Sequence, residues 1–175
     1  SMGSEVAIEL ALAAPERLSA LVLVGANTSW NAPELREFQQ LVNGLADPVS
    51  AAFVREFQAG TAYAPLPEAF LDSVVEESMR LPAHVWRGAL AGQIEADYAA
   101  RLGAIRTPAL VLGGEEDPYC PAANQRDLAA RLGNAKLRLY PRVAHCPHWE
   151  RPDEFVRDLT WFLDRVGWDA SELQV

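Results

Sequence analysis

The chain has 175 residues, half of them hydrophobic and 22% charged, with a formal net charge of −9. That size and composition suit a globular domain with a substantial core and exclude a disordered chain. The 15 basic residues are scattered rather than gathered into a phosphate-binding stripe, and no apolar run nears the roughly 18 residues of a membrane span, so neither nucleic acid nor membrane is an expected partner.

The opening Ser1-Met2-Gly3-Ser4 reads in three ways: a dispensable leader, a nucleophile that uses its own α-amine as base, or a nucleophilic serine on a tight turn. Residues 4–14 predict a helix buried on most sides by Val6, Ile8, Leu10, Leu12 and Ala13, with Glu5 and Glu9 on one exposed stripe. Pro15 ends it. Ala20–Gly25 is the continuous apolar run of a strand covered on both faces. From about residue 30 to 100 helical periodicity takes over: Leu35, Phe38, Leu41 and Leu45, then Val49, Phe53 and Phe57. Phe70, Val74 and Ser78 continue it, followed by Trp86, Leu90 and Ile94. Asp47-Pro48 predicts an N-cap and first-turn proline, and Pro67 and Pro82 open the next two helices, giving four in all.

Strand texture returns over 107–114, followed by a helix at 122–132 with Leu128, Ala129 and Leu132 inward. A third strand at 136–140 and a last helix at 152–166 complete the pattern. The organisation is therefore α/β, with core segments at 1–26 and 101–175 and an all-α cap at 27–100. Three strands make a poor parallel sheet. The chain reads as the C-terminal end of a larger, mainly parallel sheet whose N-terminal strands are absent from it.

Two stretches at the C-terminal ends of predicted strands carry chemistry, where sites assemble in open α/β sheets. In GGEEDPYCP (113–121), Gly113 and Gly114 release the chain from the sheet, Glu115 and Glu116 read as solvated, and Asp117 stands before Pro118. In VAHCPHWERPDEF (143–155), His145 precedes the last helix. His145, Cys146 and His148 with Cys120 invite a metal reading, but the spacing is irregular and Pro147 disrupts it, so no metal is expected. Two cysteines are too few for a disulfide scaffold and suit a reducing, cytoplasmic location, although both flank candidate site residues and a bridge between them stays open.

Taken in order, Ser1-Met2-Gly3 before a helix, the strand-Gly-Gly-x-x-Asp stretch and the strand-loop-His stretch resemble the α/β-hydrolase family. Ser1-Met2-Gly3 matches the second half of that family's Gly-x-Ser-x-Gly nucleophile elbow, and residues 27–100 occupy the usual cap position. The resemblance implies Ser1 as nucleophile, His145 as general base and Asp117 as the acid that orients the imidazole. It implies the Met2 N–H as one oxyanion donor, with the second on a segment outside this sequence, so that the missing N-terminal part of the domain is itself a partner. No cofactor is implied. Because the cap lies over the site in this family, Trp30 and Trp86 are candidates to line the pocket of a small-molecule substrate. Trp149 is a third candidate, although with His148 it fits a supporting role better; Glu150 and Arg151 read as capping or pairing residues, and His84 as a surface residue. The implied reaction is hydrolysis of an ester or lactone of a small apolar molecule through an acyl-serine. Carbon–carbon bond hydrolysis, perhydrolysis or ligand sensing on the same fold are the alternatives.

Overall fold

The computed structural model describes residues 1–30 and 33–167, so residues 31–32 of the expected cap and the last eight of the 101–175 segment lie outside the described residues. Three strands, β1 (Leu21–Val24), β2 (Ala109–Gly114) and β3 (Ala135–Tyr140), form one parallel sheet in the order β1-β2-β3. Alternation in β2 divides the core in two. Ala109 and Val111 join Leu21 and Leu23 under helices α1 (Met2–Ala13) and α6 (Ala122–Leu132), with Ile8, Leu128 and Leu132 packed on them. Leu110 and Leu112 point the other way, onto Tyr140, Val143 and Phe162 of α8 (Pro152–Arg165). All six residues of β2 are buried, as a central parallel strand requires.

Between β1 and β2 lie α2 (Pro33–Asn43), α3 (Ala51–Ala59), α4 (Glu68–Met79) and α5 (Ala83–Glu95), followed by a 3-10 turn at Ala99–Ala104. Val49, Val54, Leu71, Val75 and Ala83 form this cap's own core. The inward positions differ in places from the simple periodic reading. Leu41 is 65% exposed while Val42 is buried, and α4 turns Leu71 and Val75 inward, leaving Phe70 to meet the ring of Trp149 edge-on at 5.4 Å. Asp47 does not cap the helix that follows it. Ser50 does so, accepting from the Phe53 amide, while the Asp47 carboxylate reaches across the cap and accepts from Ala83 N at 2.6 Å. The first turn of α5 has only Pro82 before it and no local side chain to take that proton, so a distant carboxylate supplies the cap.

The largest departure is in α1. Ser4, Glu5, Ile8 and Ala11 form its buried side, whereas Val6 and Leu10 are 63% and 41% exposed. The apolar residues of α1 are spread round the helix, so their periodicity does not choose its inner face, and the Glu5–Glu9 stripe does not mark the outer one. Contacts choose it instead: the Ser4 hydroxyl accepts from Val24 N and donates to Val24 O, both at 3.0 Å, which locks α1 to the end of β1. Glu9 stays outside in an ion pair with Arg101, but Glu5 is carried inward and its Oε1 has no hydrogen-bond partner. Among the described residues no helix is long and apolar enough to cross a membrane.

Burial pushes the Glu5 carboxyl up from 4.5 to about 8, and Glu9 reinforces the rise. The folded protein therefore keeps this proton over a range in which the unfolded chain releases it. The resulting stabilisation is full below about 4.5 and is lost as pH rises through about 8. Glu5→Gln should leave stability near pH 5 little changed and raise it at pH 9, by on the order of 3 kcal/mol. Thermal melts across that range read the difference, and parallel pH slopes for the two proteins would show that Glu5 titrates normally.

Candidate active site

Asp117 and His145 are delivered by neighbouring strand ends. The loop after β2 turns immediately, and its backbone is tied to the next loop by Glu115 N to Tyr140 O and Glu116 N to Val143 O, both at 3.0 Å. Glu115 and Glu116 face solvent, while the Asp117 side chain is completely buried. Its Oδ1 accepts from the amides of Tyr119 (2.8 Å) and Cys120 (2.9 Å), and its Oδ2 lies 2.9 Å from His145 Nδ1. A carboxylate oxygen only accepts, so Nδ1 carries the hydrogen and Nε2 is left as the basic nitrogen.

The histidine loop is held from three sides. His145 N donates to Thr61 O of the cap at 3.0 Å. Glu150, in the short helix α7 (Pro147–Glu150), accepts from Ala144 N through Oε1 and from Tyr63 N and Ala64 N through Oε2, at 2.8, 2.9 and 3.4 Å. Below the ring lies Gly25, which ends β1 at φ +54; a Cβ there would stand 2.8 Å from His145 Cε1. Gly113 and Gly114 still belong to β2, and their role is one of clearance rather than release. A Cβ on Gly114 would stand 1.9 Å from the Val143 carbonyl oxygen, and one on Gly113 would overlap the Gln125 amide.

Ser1 begins α1 as its N-cap residue, with its nitrogen bonded to Val24 O, and it lines with His145 a cavity of about 50 Å³. Met2 stands in the first turn of that helix, where amides have no carbonyl partner within the helix. Trp30, Tyr119 and Gln93 also line this cavity, and Tyr119 meets the His145 ring edge-on at 5.2 Å. Phe38, Phe57, Leu90 and Gln93 form the wall shared with a second cavity of about 240 Å³ between the cap helices and Met2 of α1, which Trp86 lines. Trp149 lines neither; it packs on Phe70 and His148, and His148 in turn packs on Phe155. A groove of about 410 Å³ between β3 and α8 shares no residue with either cavity.

Cys120 and Cys146 are free, buried thiols. Burial raises both, Cys146 to about 11 and Cys120 well above its ordinary value, so each stays protonated at neutral pH and is a poor nucleophile. Donor atoms of Asp117, Cys120 and His145 lie within 4.8 Å of one another, yet each already has a protein partner: Asp117 and His145 bond each other, and the Cys120 thiol donates to Gly25 O at 3.1 Å. Sequence reasoning misses Gly25, Tyr119, Gln93 and the Glu150 clamp as parts of the site. Only Gly25 leaves a local sign, as the glycine that closes the first strand.

A parallel sheet with acid and histidine on consecutive strand-end loops, and a helical cap inserted one strand earlier, is the arrangement of the α/β-hydrolases. The chain belongs to that fold family: the family model described as serine aminopeptidase, S33, matches residues 1–152. It is 32% identical over 172 residues to a 2-hydroxy-6-oxononadienedioate/2-hydroxy-6-oxononatrienedioate hydrolase of Cupriavidus pinatubonensis, an alignment covering 93% of this chain and 60% of the relative. Among solved structures, a hydrolase from Pseudomonas aeruginosa is 25% identical with a TM-score of 0.77, the match covering 91% of this chain and 61% of that one. An esterase from Exiguobacterium antarcticum, at 17% identity, shares the fold with a TM-score of 0.84 over 94% of this chain and 64% of its own. The chain thus spans about 60% of the length of the relatives it matches.

Two glycines separate ring contact from backbone strain. A Cβ on Gly133, at φ +70, would meet nothing within 4 Å, whereas one on Gly25 would meet the imidazole. Gly133→Ala should cost about 1–2 kcal/mol of stability from its left-handed backbone alone. Gly25→Ala should cost more and also remove the downfield Nδ1–H proton resonance of His145, which Gly133→Ala preserves. An unchanged resonance in Gly25→Ala would show that the ring does not rest on that glycine.

Proposed function

We propose that this protein hydrolyses an ester or lactone of a small, uncharged, largely apolar molecule through an acyl-Ser1 intermediate. The observation that carries the reading is the His145–Asp117 pair at 2.9 Å beside a cavity that Ser1 also lines. In this reading Nε2 of His145 takes the Ser1 hydroxyl proton as Oγ bonds to the substrate carbonyl carbon. The Met2 N–H, at the positive end of α1, meets the oxyanion. His145 then gives the proton to the departing alkoxide. Water, activated by the same nitrogen, attacks the acyl carbon and restores Ser1. Asp117, with its other oxygen fixed by two amides, keeps the ring in the tautomer that each step uses.

A second reading, carbon–carbon bond hydrolysis, is favoured by the names of relatives such as the 2-hydroxy-6-oxo-6-phenylhexa-2,4-dienoate hydrolase of Comamonas testosteroni, 29% identical over 172 residues. The cavity walls weigh against a carboxylate-bearing substrate. Among the described residues that line either cavity there is no lysine or arginine, and the walls are mainly Trp, Phe, Leu and Val. A buried carboxylate without a cation or several donors is costly.

Aryl esters should be turned over with an initial burst, and a fluorophosphonate should label Ser1 in the peptide that carries Met2 and Gly3. Ser1→Ala should abolish both, and Asp117→Asn should reduce kcat by about 10³–10⁴-fold. Absence of both labelling and turnover would overturn the reading, while hydrolysis confined to dienoate substrates would replace it with the second one.

A further inference from the structure

Among the described residues three buried N–H donors of the cap have no acceptor, Nε1 of Trp30, Nε1 of Trp86 and Nε2 of Gln93, and the last two stand together on one helix. An unmet buried donor costs about 1–3 kcal/mol, and native proteins keep few of them. Trp86 and Gln93 belong to α5, both line the 240 Å³ cavity, and Gln93 also lines the cavity that holds Ser1 and His145. Seven residues separate them, two helical turns, so they share one face about 10 Å apart along the axis. Leu90, between them on that face, lines both cavities. Gln58 Nε2 donates to Ser78 Oγ and Ser78 Oγ to Val74 O, each at 2.8 Å, so the Ser78 hydroxyl beside this cavity is already engaged. The Trp86 ring is fixed edge-on against Phe53 and Phe57 at 5.8 and 5.5 Å, which leaves it little freedom to find an acceptor elsewhere.

We propose that Gln93 and Trp86 form an extended substrate subsite, and that the substrate is an uncharged ester whose apolar body carries a second oxygen acceptor at its far end. Gln93 stands at the junction of the two cavities and donates to the ester group beside Ser1. Trp86 donates to the distal oxygen, a ketone, ether or hydroxyl. Two neutral donors, in a lining that among the described residues holds no lysine or arginine, select a neutral acceptor over a carboxylate. The apolar walls between them, Val42, Phe57, Val85 and Leu90, hold the intervening hydrocarbon. This assignment rests on the ester-hydrolase reading for the identity of the bond at Ser1, but the binding geometry can be tested apart from turnover.

The probes are two phenyl esters of equal chain length, one ending in a methyl ketone and the other in an isopropyl group. Calorimetry on the non-hydrolysing Ser1→Ala protein should find the keto ester bound about five- to tenfold more tightly, the worth of one neutral hydrogen bond. Trp86→Phe keeps the ring and should bring the two affinities together without lowering Tm by more than a few degrees. Gln93→Met should weaken both esters alike. Equal affinities in Ser1→Ala, or a preference that survives Trp86→Phe, would overturn the subsite. Selective binding by Ser1→Ala with no turnover of either ester by the unaltered protein would sustain the subsite and sink the ester reading; equal turnover and equal binding of both would do the reverse.

Discussion

The buried carboxylate of Asp117 sets the terms for everything around it. A carboxylate removed from water must find donors, and this one finds three: two amides of its own loop on Oδ1 and the imidazole on Oδ2. The amide pair comes from residues two and three positions further on, so the loop closes tightly around the side chain it must satisfy. That closure places Cys120 beneath Gly25, where its thiol meets the Gly25 carbonyl, and sets Tyr119 against the imidazole. One electrostatic requirement thus fixes the acid, the histidine, the end of β1 and one wall of the cavity together.

Steric clearance is the matching constraint. Parallel strands bring three chain segments to one edge, and the segments approach closely enough that side chains must be omitted. Gly114 lies under the carbonyls of Val143 and Ala144, Gly113 under the amide of Gln125, and Gly25 under the imidazole. Gln125 is fully buried and donates to Cys120 O at 2.6 Å, so the space left open by Gly113 is filled by a side chain that braces the acid loop. Hydrogen bonds pull these loops together, and glycines let them arrive.

Much of this is legible in the sequence, for reasons that also explain what is not. Strands buried on both faces announce themselves as continuous apolar runs, and both site loops follow such runs or a short edge strand directly. Asp117 and His145 are therefore visible as polar residues at strand ends. The inner face of α1 is not, because Val6, Leu10, Ile8 and Leu12 are apolar on every side and only the bond from Ser4 to Val24 selects an orientation. Asp47 carries a real capping signal, but its recipient is Ala83, a pairing that depends on how α2 to α5 pack and on nothing local. Glu150 reads as a capping or pairing residue near the last helix; its partners in the cap are distant in sequence, at Tyr63 and Ala64. Local rules identify the type of interaction that a residue is suited to make, and tertiary packing supplies the partner.

Glu150 also shows that the cap and the histidine are not independent parts. The carboxylate receives one N–H from the histidine loop and two from the turn after α3, while that same turn offers the Thr61 carbonyl to the amide of His145 itself. Any displacement of the cap that carried residues 61–64 away would pull on the backbone of the residue whose ring is hydrogen-bonded to Asp117. The aromatic contacts run in the same direction, from Phe38 and Phe57 through Tyr119 to the imidazole. The cap helices that bound the apolar cavity are thereby mechanically continuous with the group that would move the proton. In the proposed reading, a ligand that filled the cavity and settled these helices would also settle the position of His145, so substrate fit and catalytic geometry would draw on one set of contacts.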